Sequence, residues 1–272
     1  QTILTHVNTI TGVALRDDPT IMAWETGNEL TPPPEWTKLI THFIKGLDPH
    51  HLVMDGRYGI DENVLNWPDI DIYSDHFYPM NITEMQGDAV QVNQAGKVFL
   101  VGEFGWSGDQ GDPLPAFLDA VRKSTAAGDL FWDLFAHGVT QGYTTPPDDS
   151  YGLVYPGTDP AMRATAQLLR DHAYAMRGLP VPPNATPDAP LITAIAGKTV
   201  TWRGATPADT YTIERSTAGP DGPWTTACTD CSTQDDTTWT DATRPAGAAW
   251  YRVQGVNLDG AAGPFSPAFE MK

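Results

Sequence analysis

The 272-residue sequence predicts an α/β fold built on a parallel sheet and followed by a separate β-sandwich. Three observations carry this. Strand-like apolar runs alternate with helical patterns as far as residue 178. A proline-rich stretch interrupts the chain at 179–190, and beyond it only short strand patterns remain.

Taken in order, Ile3–Ile10 reads as the end of a helix, and strand-like runs follow at 21–30, 52–55, 70–78, 98–104 and 130–135. Helices are expected at 35–46, where Trp36, Leu39, Ile40, Phe43 and Ile44 recur at helical spacing, and at 82–95, 115–127 and 160–177. The last of these places Met162, Ala166, Leu169, Ala173 and Met176 on one face. Strands alternating with helices imply a parallel sheet with helices outside, and in such folds functional residues gather at the carboxyl ends of the strands. Leu179–Pro190 holds five prolines in twelve positions, as suits a stiff, extended linker. The runs Thr199–Trp202, Thr210–Arg215 and Trp250–Val256 beyond it are separated by Gly, Pro and Asp and predict a small β-sandwich. The expected division is therefore 1–178, 179–190 and 191–272.

The formal net charge of −18 argues against nucleic acid, an anionic membrane surface or a polyanionic substrate, and is compatible with a neutral polymer. No apolar run approaches the roughly 20 residues needed to span a bilayer, and the first residues lack the basic start of a signal peptide. Cys228 and Cys231, the two cysteines, are too few for a four-cysteine zinc site. In Cys-Thr-Asp-Cys they are a candidate local disulfide, with free thiols the next reading. Asn81-Ile-Thr83 and Asn184-Ala-Thr186 have the form of glycosylation sequons. His50-His51 reads as a pair of turn residues more than as metal ligands.

Two glutamates stand out. Each sits at the end of a strand-like apolar run, Glu29 in Ile21-Met-Ala-Trp-Glu-Thr-Gly-Asn-Glu-Leu30 and Glu103 in Val98-Phe-Leu-Val-Gly-Glu-Phe-Gly-Trp106. A carboxylate at a strand exit among apolar residues is costly unless hydrogen-bonded, so two of them suggest a working pair. Two carboxyl groups can supply both the proton and the nucleophile or base that cleave a glycosidic bond, without cofactor or metal. Asn28 can donate an amide hydrogen bond beside Glu29. His76 and Tyr78, two apart in a strand-like run, share one side, and Trp132 lies in the fifth run.

The segments Trp24-Glu-Thr-Gly-Asn-Glu-Leu30, Asp75-His-Phe-Tyr-Pro79 and Gly102-Glu-Phe-Gly105, with Trp132, resemble glycoside hydrolase family 5 over residues 1–178. The run Val13–Leu30 is most similar to the endo-β-1,4-mannanase branch. The resemblance implies a (β/α)8 TIM barrel and a retaining mechanism, with Glu29 as general acid/base and Glu103 as nucleophile. It also implies that Asn28 bonds the sugar 2-hydroxyl, Tyr78 holds Glu103, His76 lines the same subsite and Trp132 is a stacking floor. No cofactor is called for, the partner is a mannan-type polysaccharide, and the expected location is extracellular. Rival readings are a β-1,4-glucanase of the same family, a metal-dependent hydrolase using His76, Asp75 and Glu103, and an inactive carbohydrate-binding remnant.

By the same resemblance the five strands match the fourth to eighth of the barrel, so only about the last five βα units are present. The arginine and histidine expected from earlier strands have no counterpart. Five strands cannot close an eight-stranded barrel, which implies a missing N-terminal half or a complementing chain, and inactivity of this chain alone. Residues 191–272 resemble a fibronectin type III module through Trp202, Tyr251–Gly260 and Ser266-Pro267. Tyr251 is expected to be a corner tyrosine bonding backbone.

Overall fold

In the computed structural model, residues 1–107, 111–135, 137–138, 142–143, 151–233 and 236–271 are described. Contacts divide the chain into Gln1–Trp132 and Asp133–Lys272.

In the first unit the apolar runs become β1 (Ala23–Glu25), β2 (Leu52–Asp55), β3 (Ile72–Phe77), β4 (Val98–Phe104) and β5 (Gly128–Asp129). They form one parallel sheet in the order β1-β2-β3-β4-β5, joined by α1 (Pro34–Leu47), α2 (Ile82–Gln94) and α3 (Leu114–Lys123). All six residues of β3 are buried, as expected of a central parallel strand covered on both faces. Val53, Ile72, Phe77, Phe99, Val101 and Phe104 form much of the interior, and Phe117 and Val121 of α3 are likewise fully buried. The sheet is open, with β1 and β5 at its edges, so the barrel is partial.

Three sequence expectations need correction here. Ile3–Ile10 forms turns instead of a helix, because Asn8 Oδ1 accepts hydrogen bonds from the backbone N–H groups of Ile10 and Thr11. This local alternative competes with helical bonding. The first strand covers only 23–25 of the expected 21–30, since Thr26, Gly27 and Asn28 leave the ladder. The fifth strand is Gly128–Asp129, two residues ahead of 130–135, although Leu130 N–H and Trp132 N–H still donate to Val101 and Phe104 carbonyls at 3.0 and 2.9 Å. Helix α1 forms where the spacing placed it, burying Thr37, Thr41 and Ile44 and leaving Trp36, Leu39 and Phe43 exposed.

Behind β1 and β2 lies a polar cluster that explains His50-His51. Asp48 is buried and accepts from Trp24 Nε1 and His51 Nδ1, both at 2.6 Å, and from the backbone N–H groups of His50 and His51. His51 Nε2 lies 3.0 Å from the Asp18 carbonyl. Burial opposes ionisation of Asp48, but these donors outweigh it and hold its pKa at about 2. Burial likewise opposes the charge on His51, and Asp48 with the Asp18 carbonyl reverses this and raises its pKa. A lowered carboxylate stabilises above its unfolded value of about 4, and a raised histidine stabilises below about 6.5. The expected result is a wild-type advantage over Asp48→Asn that fades as pH falls from about 4 towards about 2. The advantage should also shrink as pH rises through the raised value of His51. Urea unfolding of both proteins across pH checks this.

The second unit begins with β6 (Leu134–Phe135). The next strands, β7 (His137–Gly138) and β8 (Gly142–Tyr143), pair with each other, and β9 (Leu153–Val154) pairs in parallel with β6. Helix α4 (Pro160–Met176) starts where Asp159 caps the N–H groups of Ala161 and Met162, with Pro160 in the first turn. The sandwich comprises β10 (Leu191–Ala196), β11 (Thr199–Arg203), β12 (Thr210–Ser216), β13 (Thr225–Cys228), β14 (Thr238–Thr240), β15 (Ala249–Val256), β16 (Ala262–Phe265) and β17 (Phe269–Met271). Strands β10-β11-β14 form one antiparallel sheet, and β13-β12-β15-β16 form the other, with β17 also on β15. Strict alternation along β15 turns Ala249, Tyr251 and Val253 inward onto Ile192, Val200, Trp202, Tyr211 and Ile213.

Two expectations for the sandwich are corrected. The Tyr251 hydroxyl donates to the buried Asp241 carboxylate at 2.8 Å and not to backbone; Asp241 also takes Arg215 and the Thr243 N–H. The tyrosine tied to backbone is Tyr211, whose hydroxyl accepts from Ala205 N–H at 3.0 Å. Tyr251→Phe should therefore cost about 1–3 kcal/mol, because it removes a hydrogen bond to a buried charged group and leaves Asp241 Oδ2 with Arg215 alone; thermal unfolding measures it. Cys228 and Cys231 are free thiols, not a disulfide. Their sulfurs face different carbonyls, Thr229 and Tyr211, and both pack against the sandwich core.

The proline-rich stretch has no regular secondary structure and is held along its length. Arg170 of α4 donates to the Pro182 and Pro183 carbonyls at 2.6 and 3.3 Å. Tyr155 donates to Asn184 Oδ1 at 2.6 Å, while Asn184 donates through N and Nδ2 to Asp259. Asn257 Nδ2 donates to the Asn184 and Ala185 carbonyls, and Arg163 pairs with Asp209 at 2.6 Å. The amide of the second sequon is thus engaged. Asn81, of the first, caps α2 by accepting from Glu84 N–H.

Candidate active site

Glu29 and Glu103 converge through two different backbone irregularities. Glu29 lies beyond the end of β1, with φ of +50°, a left-handed conformation uncommon for a side chain of this kind. The loop is held by a close backbone crossing. Leu30 N–H donates to the Gly56 carbonyl at 3.0 Å, and Gly56 N–H donates to Thr26 Oγ1 at 2.9 Å. A Cβ on Gly56 would lie 1.7 Å from the Gly27 carbonyl oxygen, so only glycine admits the crossing. Strain at a functional residue persists when its surroundings fix it in this way.

Glu103 owes its direction to a β-bulge. Asp75 pairs with Val101, but His76 pairs with Glu103, so Gly102 is the extra residue in β4. The His76 ring lies against the space of its absent side chain: a Cβ on Gly102 would be 2.9 Å from His76 Cδ2 and Nε2. His76 is thereby brought up to both carboxylates, with Nδ1 3.0 Å from Glu29 Oε1 and 3.5 Å from Glu103 Oε2. Tyr78 donates to Glu103 Oε2 at 3.1 Å. Donor atoms of Glu29, His76 and Glu103 all lie within 4.8 Å of one another. A retaining glycosidase needs its carboxyl groups about 5–5.5 Å apart. The side chains are 42% and 17% exposed for Glu29 and Glu103, so Glu29 faces solvent more than Glu103 does.

Of the other residues read from sequence, Asn28 is exposed in the β1 loop, with no hydrogen bond from its side chain among the described residues. Trp132 is 44% exposed and lies just past β5, where its N–H holds to Phe104 at the end of β4. The metal trio of His76, Asp75 and Glu103 is not assembled. Asp75 Oδ1 instead accepts from the N–H groups of Gly59 and His76, both at 2.8 Å. Glu29, His76 and Glu103 already satisfy one another with Tyr78, and no ligand role is assigned to them.

The sequence reading missed Gly56, Gly102 and Glu25. Partial burial raises the Glu25 carboxyl, with His76 opposing and the negative charges of Glu103 and Asp55 adding to it. Asp55 is itself pushed by burial to about 6. The available signals were the Gly-Glu dipeptide and the acidic residue ending each of β1 and β2.

Residues 1–108 match the model of a family described as GH family 5 beta-mannosidase-like. This part of the chain is similar to glycoside hydrolase family 5. Mannan endo-1,4-beta-mannosidase 1 of Solanum lycopersicum is 29% identical over 233 residues, covering 66% of this chain and 56% of the relative. Putative mannan endo-1,4-beta-mannosidase 9 of Oryza sativa subsp. japonica is 29% identical over 200 residues, covering 52% of this chain and 49% of the relative. The chain thus spans about half the length of the curated relatives it matches. Among solved structures, a hyperthermostable endo-1,4-beta-D-mannanase from Thermotoga petrophila superposes with a TM-score of 0.52 at 25% identity, covering 64% of this chain and 62% of that one. A second Thermotoga petrophila endo-beta-1,4-mannanase structure, at 19% identity and a TM-score of 0.54, covers 99% and 68% and supports the shared fold. The matched segment carries Glu29 after β1, His76 and Tyr78 at β3 and Glu103 on β4.

Proposed function

We propose that the chain carries the catalytic pair of a retaining, endo-acting β-1,4-mannanase. The observation that carries this is the convergence of Glu29, His76 and Glu103 donor atoms within 4.8 Å, at the carboxyl ends of parallel strands. Glu29, the more exposed carboxyl, protonates the leaving oxygen and later activates water. Glu103, held by Tyr78, attacks the anomeric carbon to form a glycosyl-enzyme that water then hydrolyses. Asn28, exposed beside Glu29 and with no side-chain partner among the described residues, bonds the 2-hydroxyl, and Trp132 offers an apolar face to the sugar. The substrate is mannan, glucomannan or galactomannan, and the enzyme works outside the cell, consistent with its acidic surface.

In this reading residues 1–178 are the catalytic part, 179–190 the link and 191–272 an accessory module. Five strands give a site open on one side, so turnover requires that the remaining barrel strands be supplied, on the same polypeptide or another. The chain alone is expected to show no normal turnover of mannan, and the completed barrel should hydrolyse it with net retention at the anomeric carbon, followed by NMR. Parallel assays on mannan and carboxymethylcellulose separate it from a glucanase, and insensitivity to chelator separates it from a metal hydrolase. Inversion, or preference for the cellulosic polymer, would defeat the assignment.

A further inference from the structure

The bulge that aims Glu103 and His76 rests on a second carboxyl pair, outside the site. Residues of β3 alternate in direction. His76 points to the catalytic pair, whereas Asp75, 3% exposed, lies on the other face, towards α2. An extra residue in β4 disturbs the ladder at His76, and the His76 N–H is taken by the neighbouring Asp75 Oδ1 at 2.8 Å. The same oxygen takes Gly59 N–H, from the loop after β2. Asp75 therefore fixes the backbone of β3 at His76 and of the loop after β2 at Gly59.

Asp75 is in turn hydrogen-bonded by a carboxyl group. Asp88 of α2 reaches it side chain to side chain, and Asp88 Oδ2 is buried with no N–H or hydroxyl donor among the described residues. Two carboxyl groups at hydrogen-bonding distance share one proton. Asp75 already accepts two N–H groups, which favours its charged form, so the proton belongs to Asp88 and is donated to Asp75. We propose that Asp88 is a positioning residue, whose protonated carboxyl braces Asp75 and through it the bulge that presents His76 to Glu29 and Glu103.

Charges around the pair agree with this. Burial and the Asp75 charge raise Asp88 to about 7, with Glu84 adding to both. Burial also raises Asp75, against its backbone donors, Asp88 and His76. From the loop after β2, Tyr58 feels both Asp75 and Glu84. On α3, which also packs on α2, Asp119 pairs with Arg122 and Lys123 at the surface and supplies no countercharge to Asp88. Above neutral pH both carboxyls ionise and the brace becomes a repulsion.

The catalytic consequence rests on the mannanase reading; the structural one does not. The test uses the full chain and the completed barrel, each as wild type, Asp88→Asn and Asp88→Ala. Asparagine keeps a donor to Asp75 without a proton to lose. In wild type the amide resonances of Gly59 and His76 should move together as pH rises through neutrality, and in Asp88→Asn they should not. Asp88→Ala should displace both at all pH values and lower kcat by about 10–100-fold with little change in KM, and Asp88→Asn should restore kcat and extend activity on the alkaline side. Identical titration of the two amides in wild type and Asp88→Asn would overturn the proposal even if the alanine variant fails to fold. Coupled amide shifts without mannan hydrolysis by wild type would support the brace and defeat the mannanase reading instead.

Discussion

Glu103→Ala in the completed barrel should abolish mannan hydrolysis, lowering kcat by on the order of 10^4-fold or more, since loss of a covalent nucleophile removes a whole step of the mechanism. Glu29→Ala should cost about 10^2–10^4-fold, the usual range for one acid/base group. The two variants should differ in kind. Aryl glycosides with acidic leaving groups need little protonation, so the Glu29 variant should still form the glycosyl-enzyme from them and accumulate it, visible by mass spectrometry. The Glu103 variant should form none. A covalent adduct on the Glu103 variant, or equal behaviour of the pair, would reverse or remove the assignment. Both side chains are partly exposed, so folding should be unaffected and circular dichroism should match wild type.

Gly56→Ala should be the most damaging single methyl group in the first unit. Its Cβ would sit 1.7 Å from the Gly27 carbonyl oxygen and 2.6 Å from the carbonyl carbon. Both are backbone atoms of the loop carrying Asn28 and Glu29, so no rotamer change can relieve the clash. Backbone displacement of this order belongs with the exceptional losses, above about 4 kcal/mol. By contrast, Gly59→Ala, with open space around its Cβ position, should suffer only the strain of its positive φ of +74°. Urea denaturation of the two variants gives the comparison, and similar midpoints would contradict the crossing.

The residues of the candidate site were legible because each sits in a short motif whose residue types are set by chemistry. Glu29, His76, Tyr78 and Glu103 could be named without knowing how the strands register, and five parallel strands followed from hydrophobic runs alone. What sequence could not show is pairing. That His76 faces Glu103 depends on one extra residue in β4, and no local pattern distinguishes Gly102 as a bulge from an ordinary strand glycine. Tyr251 was read as bonding backbone because its nearest acceptor, Asp241, is ten residues away and reached through the fold. The helix at Ile3–Ile10 failed for the opposite reason: a local asparagine bond outcompeted a weak helical pattern. Trp36, Leu39 and Phe43 recur at helical spacing yet are exposed, because periodicity identifies an apolar stripe but not what covers it.

The ties along the proline-rich stretch bear on how the β-sandwich can act. A free twelve-residue flexible segment would let its two ends wander over roughly 20 Å, and a module on it would search for binding partners like a tethered float. Here Arg170, Tyr155 and Asn184 fasten the segment at several points between α4 and the sandwich strands. The sandwich and α4 consequently share one reference frame. A polymer chain bound by one would be offered to the other at a constant angle, and the free-energy cost of aligning them is met once, during folding, instead of at every encounter.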